Sequence, residues 1–269
     1  MSLSITILGC GSSGGVPRVG GSWGRCDPKN PKNRRRRCSI LVSRRVGGAE
    51  TLVLVDTSPD LREQLIDAGV KRLDAVLFTH PHADHTHGVD DLRGLVIMSG
   101  RRIPAYMDAP TSQAMTNKFD YVFVTPPGSF YPPLLTERRL ELGAPVVIDG
   151  PGGPIQATPF RLEHGEMDAL GFRIEAGELA FAYTPDMNAI PAESVPFLRD
   201  LDLWIIDALR HQRHGSHFSV EQAFEWIARM NPRRAVLTDL HVDLDYDALS
   251  ALCPANVTPA YDGLHIELV

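Results

Sequence analysis

Three histidines and one aspartate stand within six residues of one another, directly after a short apolar run at residues 75–78. Neutral imidazole nitrogens and carboxylate oxygens are the ligands that suit Zn²⁺, Mn²⁺ and iron. A tight turn after a strand can direct His80 and His82 at one ion, and Asp84 and His85 at a neighbouring ion. Two adjacent ions are what two-metal hydrolysis requires. The cluster therefore predicts a metal centre at a strand end, and a polar loop with unrelated histidines is the weaker interpretation.

One cluster cannot complete two coordination spheres, so further ligands are expected elsewhere in the chain. Three polar residues each follow an apolar run: His164, Asp186 and His241. Taken singly, each would more often be an ordinary polar residue. As an ordered set behind the first cluster, they predict one more imidazole for each ion and a carboxylate between the two ions.

Bulk composition restricts the class of protein. A chain of 269 residues with 43% hydrophobic content is long enough for a sizeable core, and we expect one domain over 1–269. The formal net charge of -6 is unlike that of a nonspecific nucleic-acid binder. The four cysteines are widely spaced, no apolar stretch reaches 18 residues, and the first residues lack a signal-peptide pattern. These features favour a cytoplasmic protein with reduced thiols and no membrane segment.

Apolar runs typical of strands alternate with helical spacing along both halves of the chain. This pattern predicts an α/β (α+β) arrangement of two sheets covered by helices. Strands are predicted at residues 4–8, 38–43, 51–56, 75–78, 103–107, 155–163, 170–176, 179–183, 203–206, 234–238 and 265–268. Helices are predicted at residues 59–68, 88–98, 220–230 and 244–252, whereas residues 119–131 fit neither pattern.

The segment Thr-His-Pro-His-Ala-Asp-His resembles the T-H-x-H-x-D-H signature of the metallo-β-lactamase superfamily. The order of the later candidates resembles the phosphodiesterase branch of that superfamily. The resemblance implies an αββα sandwich of two mixed sheets, with the metal site at one edge. It also implies two divalent ions, Zn²⁺ or Mn²⁺, with the following ligands: His80, His82 and His164 for the first, Asp84, His85 and His241 for the second, and Asp186 between them.

A finer resemblance is to the PhnP-type phosphoribosyl cyclic phosphodiesterases. It lies in the opening LGCGSSGGVP, in the NRRRRCS segment, and in GSHFSVEQA, where His217 matches a histidine that meets the substrate phosphate. As a mechanistic hypothesis, we expect His217 to act as a general acid and Asp84 to help orient the nucleophile as well as bind metal. This group often carries a structural zinc site, but only Cys26 remains in the corresponding loop and Leu244 replaces the extra histidine. We therefore expect that zinc site to be absent.

The expected activity is hydrolysis of a small cyclic or nucleotide-like phosphate ester. We expect no nucleic-acid or membrane partner. The sequence leaves the oligomeric state undecided, with a homodimer as one option. Alternatives on the same scaffold are a thioester, lactone or β-lactam hydrolase, a tRNA 3′-processing nuclease, and a scaffold protein without metals. His211 and His214 compete with His217 for the catalytic role. The glycine-rich residues 9–15 are expected to form a turn that lines the site, and the four arginines at residues 34–37 a solvated surface or an interface.

Overall fold

The computed structural model describes residues 2–268, which form two mixed sheets of seven strands each. The first sheet has the order β14-β1-β2-β3-β4-β5-β6, and the second has the order β13-β12-β11-β10-β9-β8-β7. The strands are β1 (Ser2–Gly9), β2 (Ser39–Val46), β3 (Ala49–Val55), β4 (Ala75–Leu77), β5 (Ile103–Met107), β6 (Leu135–Arg139), β7 (Val146–Ile148), β8 (Ile155–His164), β9 (Met167–Ala176), β10 (Leu179–Thr184), β11 (Leu203–Asp207), β12 (Ala235–Thr238), β13 (Val257–Pro259) and β14 (His265–Leu268).

Helices cover the outer faces of both sheets, which gives the expected αββα order of layers. The helices are α1 (Leu61–Asp67), α2 (Ala83–Thr86), α3 (Arg93–Ser99), α4 (Ala109–Phe119), α5 (Val220–Met230) and α6 (Tyr246–Leu252), with 3₁₀ turns at Pro31–Asn33, Val89–Leu92, Asp120–Val122 and Ala192–Leu198. None of the helices between residues 2 and 268 combines the length and the apolar character that a bilayer crossing needs.

Strand β11 shows how the layers are joined. All five of its residues are buried, as expected of a strand that is covered on both faces. Because side chains alternate along a strand, Leu203 and Ile205 enter the core between the two sheets, whereas Trp204 and Ile206 enter the core beneath the helices. The same alternation in neighbouring strands produces one central core and two outer ones.

Helix α5 packs on the second sheet because its sequence specifies both its start and its buried face. Ser219 and Gln222 form a reciprocal capping box at its N-terminus. Val220, Ala223 and Ile227 recur at helical spacing and are buried in the outer core of that sheet. The loop before this helix carries His217, so the cap fixes where the loop ends.

Parallel neighbours bring the carboxyl ends of several strands to one edge of the sandwich. Strands β3, β4 and β5 run parallel in the first sheet, and β10, β11 and β12 run parallel in the second. The first histidine cluster follows β4, and Asp186 and His241 follow β10 and β12. This edge is where the predicted site residues gather.

The predicted fold class is confirmed, and nearly every predicted element is present. Helix α5 and strands β5 and β14 have the predicted bounds. The helix predicted at 88–98 begins at Arg93, after the 3₁₀ turn Val89–Leu92, and the other elements differ by a few residues at their ends. Strands β6, β7 and β13 and helix α4 were not predicted. Residues 83–86, which were expected to continue a tight turn, form the single-turn helix α2.

Candidate metal centre

Three imidazoles and one carboxylate converge at the edge between the two sheets. One ligand atom from each of His80, His82, His164 and Asp186 lies within 4.8 Å of all the others. His80 Nε2 lies 3.0 Å from His82 Nδ1, and His164 Nε2 lies 3.2 Å from the same atom. Such close approach of basic nitrogens is the arrangement that a shared cation stabilises.

The Nδ1 atoms of two of these histidines form hydrogen bonds with neighbouring groups of the protein. These hydrogen bonds orient the two imidazole rings. His80 Nδ1 lies 3.0 Å from Thr79 Oγ1, and Thr79 Oγ1 itself donates to Asp56. His164 Nδ1 lies 2.7 Å from the carbonyl oxygen of Ser216. If these Nδ1 atoms carry the protons, as the hydrogen-bond network assigns, both Nε2 atoms present lone pairs to the centre.

A second group shares Asp186 with the first. Asp84, His85 and Asp186 also place one ligand atom each within 4.8 Å of the others. His85 Nε2 lies 3.3 Å from Asp186 Oδ2 and 3.5 Å from Asp84 Oδ2. Helix α2 carries both Asp84 and His85 on its single turn. Asp186 thus lies between the two groups, as expected of a carboxylate shared by two ions.

Two buried atoms of this centre have no hydrogen-bond partner: His85 Nε2 and Asp186 Oδ1. Leaving buried polar atoms unsatisfied is costly, and a bound cation would satisfy both. Burial lowers the pKa of His80 and of His164, which favours the neutral imidazole that binds metals. The residues therefore fit divalent cations, and the buried His and Asp clusters are consistent with metal sites of the metallo-β-lactamase type.

His217 borders the first group and is held by two carboxylates. Its Nδ1 lies 2.9 Å from Asp207 Oδ2 and 3.1 Å from Asp239 Oδ2, and its ring centroid lies 4.8 Å from that of His164. Burial lowers the pKa of His217, but the two carboxylates outweigh burial and raise the pKa to about 12. The imidazolium is thereby favoured. His214 lies beside it, with ring centroids 5.3 Å apart, and both His214 and His211 are exposed.

The structure does not bring His241 into any of these groups. Its Nδ1 lies 2.9 Å from Asp243 Oδ2, and its Nε2 contacts the guanidinium of Arg18. Its peptide NH is fixed by the carbonyl of Leu209, at the edge where the other residues gather. In this conformation Arg18 takes the place at Nε2 that a second ion would need. The assignment of His241 as a metal ligand stays a prediction.

Three carboxylates that support the site were not predicted: Asp56, Asp207 and Asp239. Asp56 Oδ2 lies 2.7 Å from His85 Nδ1, and its Oδ1 accepts from the peptide NH of Thr79. Asp56 directly follows the apolar strand β3, and Asp207 is the last residue of the apolar strand β11. The rule that identified Asp186, a polar residue after an apolar run, would have found both of these.

Cys26 lies away from the centre. Its thiol donates to the carbonyl oxygens of Val242 and Leu244, each at 3.3 Å, and the guanidinium of Arg35 approaches its sulfur at 3.8 Å. Arg35 also donates to the carbonyl oxygen of His241 at 3.2 Å. These contacts connect the N-terminal loop to the segment that carries His241.

Comparison with known proteins shows which family the chain belongs to. The family described as the beta-lactamase superfamily domain matches residues 51–239. In fold the chain is similar to a diphosphatase of the PhnP family, with a TM-score of 0.85, 32% identity, and coverage of 100% of this chain and 98% of that one. It is also similar in fold to Zn²⁺-bound PqqB from Methylobacterium extorquens, with a TM-score of 0.76, 20% identity, and coverage of 98% and 100%.

A curated relative matches only in part. The protein named octanoyltransferase from Porphyromonas gingivalis is 35% identical over 263 residues, which cover 96% of this chain and 50% of that protein. The chain therefore spans half the length of this relative. The family match covers most of the chain and includes the His80–His85 segment, His164 and Asp186. The chain belongs to the metallo-β-lactamase superfamily, and its His and Asp clusters are consistent with the metal sites of that fold.

Proposed function

We propose that the chain is a metal-dependent phosphodiesterase that hydrolyses a small cyclic or nucleotide-like phosphate ester. The observation that carries the proposal is the position of His217, a histidine held by two buried carboxylates beside His164. Neutral histidines suffice to bind metal ions, whereas a cationic histidine beside them suits an anionic substrate and a leaving oxygen that needs a proton.

Two divalent cations fit the residues of the centre. His80, His82 and His164 would hold one, Asp84 and His85 the other, and Asp186 would contact both. His241 would join the second set once Arg18 leaves its Nε2. Nitrogen and oxygen ligands suit either Zn²⁺ or Mn²⁺. When bound, such ions lower the pKa of a water molecule and offset charge on phosphoryl oxygens.

The protein's own residues would perform the remaining steps. Asp84 would help to orient the attacking oxygen, because its carboxylate belongs to the shared-ion group and is partly accessible. His217 keeps Nδ1 towards Asp207 and Asp239, which leaves Nε2 for the substrate. A proton on Nε2 would first pair with a phosphoryl oxygen and then pass to the leaving alkoxide. Asp207 and Asp239 would stabilise the cationic ring until that transfer.

The similarity to a diphosphatase of the PhnP family, at 32% identity over the whole chain, supports phosphoryl chemistry. It is also compatible with a substrate in which the cleaved bond is a phosphoric anhydride and not a phosphate ester. Both reactions displace an oxygen leaving group from phosphorus and need the same groups around it. A cyclic nucleotide and a dinucleoside diphosphate would separate the two bond types.

A second candidate is hydrolysis of a thioester or another acyl compound. The relative named octanoyltransferase favours it, because acyl transfer and acyl hydrolysis both attack a carbonyl carbon. The observation is weaker than the position of His217, since the match covers half of that protein. A thiolate leaving group does not need the protonated histidine that the structure holds beside the centre.

The experiment is metal analysis followed by a substrate panel. The purified protein would be loaded with Zn²⁺ or Mn²⁺ and assayed with bis-p-nitrophenyl phosphate, a 2′,3′-cyclic nucleotide, a dinucleoside diphosphate, a thioester and nitrocefin. We expect turnover of the phosphate compounds, loss of most of it in Asp84→Ala, and retention in the surface variant His265→Ala. Cleavage of the thioester or nitrocefin alone would refute the phosphodiesterase. Full activity of a folded Asp84→Ala protein would refute the assigned site.

A further inference from the structure

One of the four arginines at residues 34–37 is buried, in contrast to the solvated surface or interface expected for this run. The side chain of Arg35 is 2% exposed, and it is among the largest fully buried side chains of the protein. No carboxylate pairs with it among residues 2–268, and its Nε has no hydrogen-bond partner. Burying a charge without a counter-ion is costly, so arginines are rarely buried unpaired. A charge retained at this cost indicates a role for the groups that it contacts.

The guanidinium of Arg35 contacts three neutral groups from two separate parts of the chain. Its Nη1 donates to the carbonyl oxygen of His241 at 3.2 Å and approaches Cys26 Sγ at 3.8 Å, and its Nη2 donates to Asn33 Oδ1 at 3.3 Å. Cys26 in turn donates to two further carbonyl oxygens of the segment that begins at His241. The arginine therefore joins the loop at residues 26–33 to the segment that carries the predicted ligand.

Asn33 connects the guanidinium with a carboxylate that Arg35 does not contact. The Asn33 side chain is fully buried, and its Oδ1 accepts from Arg35 and, at 2.7 Å, from the peptide NH of Tyr246. Its Nδ2 donates to Asp245 Oδ2 at 2.6 Å and to the carbonyl oxygen of Asp27 at 3.1 Å. All four hydrogen-bonding positions of the amide are thus used. The amide is held in one orientation, with its oxygen towards the guanidinium and its NH₂ group towards the carboxylate.

The backbone of His241 is held on both sides of its Cα atom. Its peptide NH donates to the carbonyl oxygen of Leu209 at 3.0 Å. Its carbonyl oxygen accepts from Arg35 and, at 3.1 Å, from the peptide NH of Leu244. The ring itself is held by exposed groups, with the Arg18 guanidinium at Nε2. Once Arg18 leaves that nitrogen, as the proposed function requires, the buried backbone contacts remain to determine where the imidazole starts.

We infer that Arg35 is a positioning residue, which fixes the backbone of His241 so that the imidazole can contact the second of the two proposed ions. The inference rests on the proposed function, because it requires His241 to be a ligand of that ion. The first ion would be held by residues that Arg35 does not contact, namely His80, His82 and His164. Loss of Arg35 should therefore affect the two ions unequally, whereas a general loss of structure would weaken the binding of both.

The test is Arg35→Met, which keeps much of the side-chain volume and removes the charge and its donors. The variant should fold, because each oxygen that loses Arg35 keeps a peptide NH as donor, from Leu244 or from Tyr246. We expect its affinity for the second Zn²⁺ to fall by about 10- to 100-fold, as is typical when a group that orients a metal ligand is lost, and its affinity for the first to stay within about twofold. Dialysis against a series of chelator concentrations, followed by metal analysis, would measure both affinities.

A second measurement follows the His241 ring directly and needs no turnover. In protein labelled with ¹⁵N-histidine, the ring nitrogens of His241 should shift in the NMR spectrum as the second equivalent of Zn²⁺ binds to the wild type. In Arg35→Met the same shift should require a free Zn²⁺ concentration at least about tenfold higher. A wild-type His241 ring that does not respond to Zn²⁺ would overturn the inference.

The matched control is Arg34→Met, which makes the same change at the adjacent, exposed residue and should keep both affinities. Arg35→Lys keeps the charge and should recover part of the loss. Equal loss for both ions in Arg35→Met, or no loss for either, would overturn the positioning role. If Arg35→Met does not fold, Arg35→Lys decides: a selective loss of the second ion supports the inference, and any other result overturns it. If the second ion depends on Arg35 but the wild type hydrolyses no phosphate compound, the positioning role stands and the proposed phosphodiesterase fails.

Discussion

Asp239 Oδ2 lies 3.1 Å from His217 Nδ1, in a buried position where the backbone of Asp239 adopts a left-handed conformation with φ 58°. Left-handed backbone is unfavourable for a residue with a side chain, so other contacts must stabilise it. Burial raises the pKa of Asp239, and the cationic ring of His217 opposes that rise. The carboxylate thus depends on His217, and we infer that it positions His217 for the substrate.

We predict that Asp239→Asn lowers kcat on a phosphodiester by about 10- to 100-fold, which is less than the roughly 10²- to 10⁴-fold contribution of a general acid. KM should change little, because the ring stays in place through Asp207. NMR titration of His217 should show a pKa below the wild-type value, since one of its two carboxylates is gone. Asp74→Asn, which removes a carboxylate near β3 and Arg72, is the control. Unchanged kcat together with an unchanged His217 pKa would contradict the positioning role.

Asp56 contacts the His85 ring on the side away from the candidate ligand atom Nε2: Asp56 Oδ2 lies 2.7 Å from His85 Nδ1. We predict that Asp56→Asn weakens metal binding by about 10- to 100-fold, because carboxylates behind a ligand histidine fix its orientation and raise its basicity. Competition with a chromogenic chelator would measure the affinity. Bound ions should also raise the Tm of the wild type, since they bind the folded state alone. Equal metal affinity in wild type and variant would show that His85 needs no such support.

Gly88 follows the histidine cluster and packs against the loop that carries Asp56. A Cβ atom at Gly88 would lie 1.9 Å from the backbone oxygen of Ser58, a distance that only backbone movement can relieve. We predict that Gly88→Ala lowers the free energy of unfolding by about 1–3 kcal/mol, as overpacking does, and lowers the metal content. Thermal unfolding and metal analysis would measure the two effects.

Gly94 provides the matched control for this substitution. It lies exposed in α3, and nothing stands within 4 Å of the point that a Cβ atom would occupy there. Gly94→Ala should raise the free energy of unfolding by about 0.5–1 kcal/mol, because alanine favours the helix. If both variants shifted stability in the same direction, the clash at Ser58 would not be the cause.

Interior strands and helices with an apolar period were predictable because their burial is encoded locally. Residues 203–206 of β11 form an uninterrupted apolar run, and α5 has a capping box before a helical pattern of apolar residues. Edge strands were harder to predict, since only β14 of the four edge strands was predicted. Strand β6 contains Glu137 and two arginines, and β7 has only three residues; both stand at sheet edges and owe their form to the single strand beside them. Helix α4 buries only Thr111, Ser112 and Met115, so no apolar period marks it.

The residues of the candidate site also differ in how far the sequence could predict them. Residues of the first cluster are neighbours in sequence, so their spacing alone showed that they could act together. The contact of Asp56 with His85 spans 29 residues, and that of Arg18 with His241 spans 223, so neither leaves a pattern in the sequence. His241 was predicted as a ligand from its order in the chain, whereas its ring orientation depends on Arg18 and Asp243, which only the folded chain brings beside it.

The cysteines give a prediction that depends on pH. Burial raises the pKa of the Cys253 thiol to about 11 from an ordinary value of 9.0, because the thiolate loses hydration. At pH 8 this lowers the thiolate fraction by about 100-fold relative to the unfolded chain, and the thiolate is the reactive form. Its rate with 5,5′-dithiobis(2-nitrobenzoate) should therefore rise about tenfold per pH unit from 8 to 10 without a plateau.

Burial also raises the pKa of Cys10 and of Cys38, so these thiols should react more slowly still in the folded protein. Cys253→Ala would identify the faster phase, because Cys253 is the partly exposed thiol and the other three are buried. In denaturant all the thiols should react with one rate that levels off near pH 9, since the desolvation that raises each pKa is lost on unfolding. A plateau below pH 9 for Cys253 in the folded protein would mean that its thiolate is hydrated, and that α6 does not shield its end as the structure indicates.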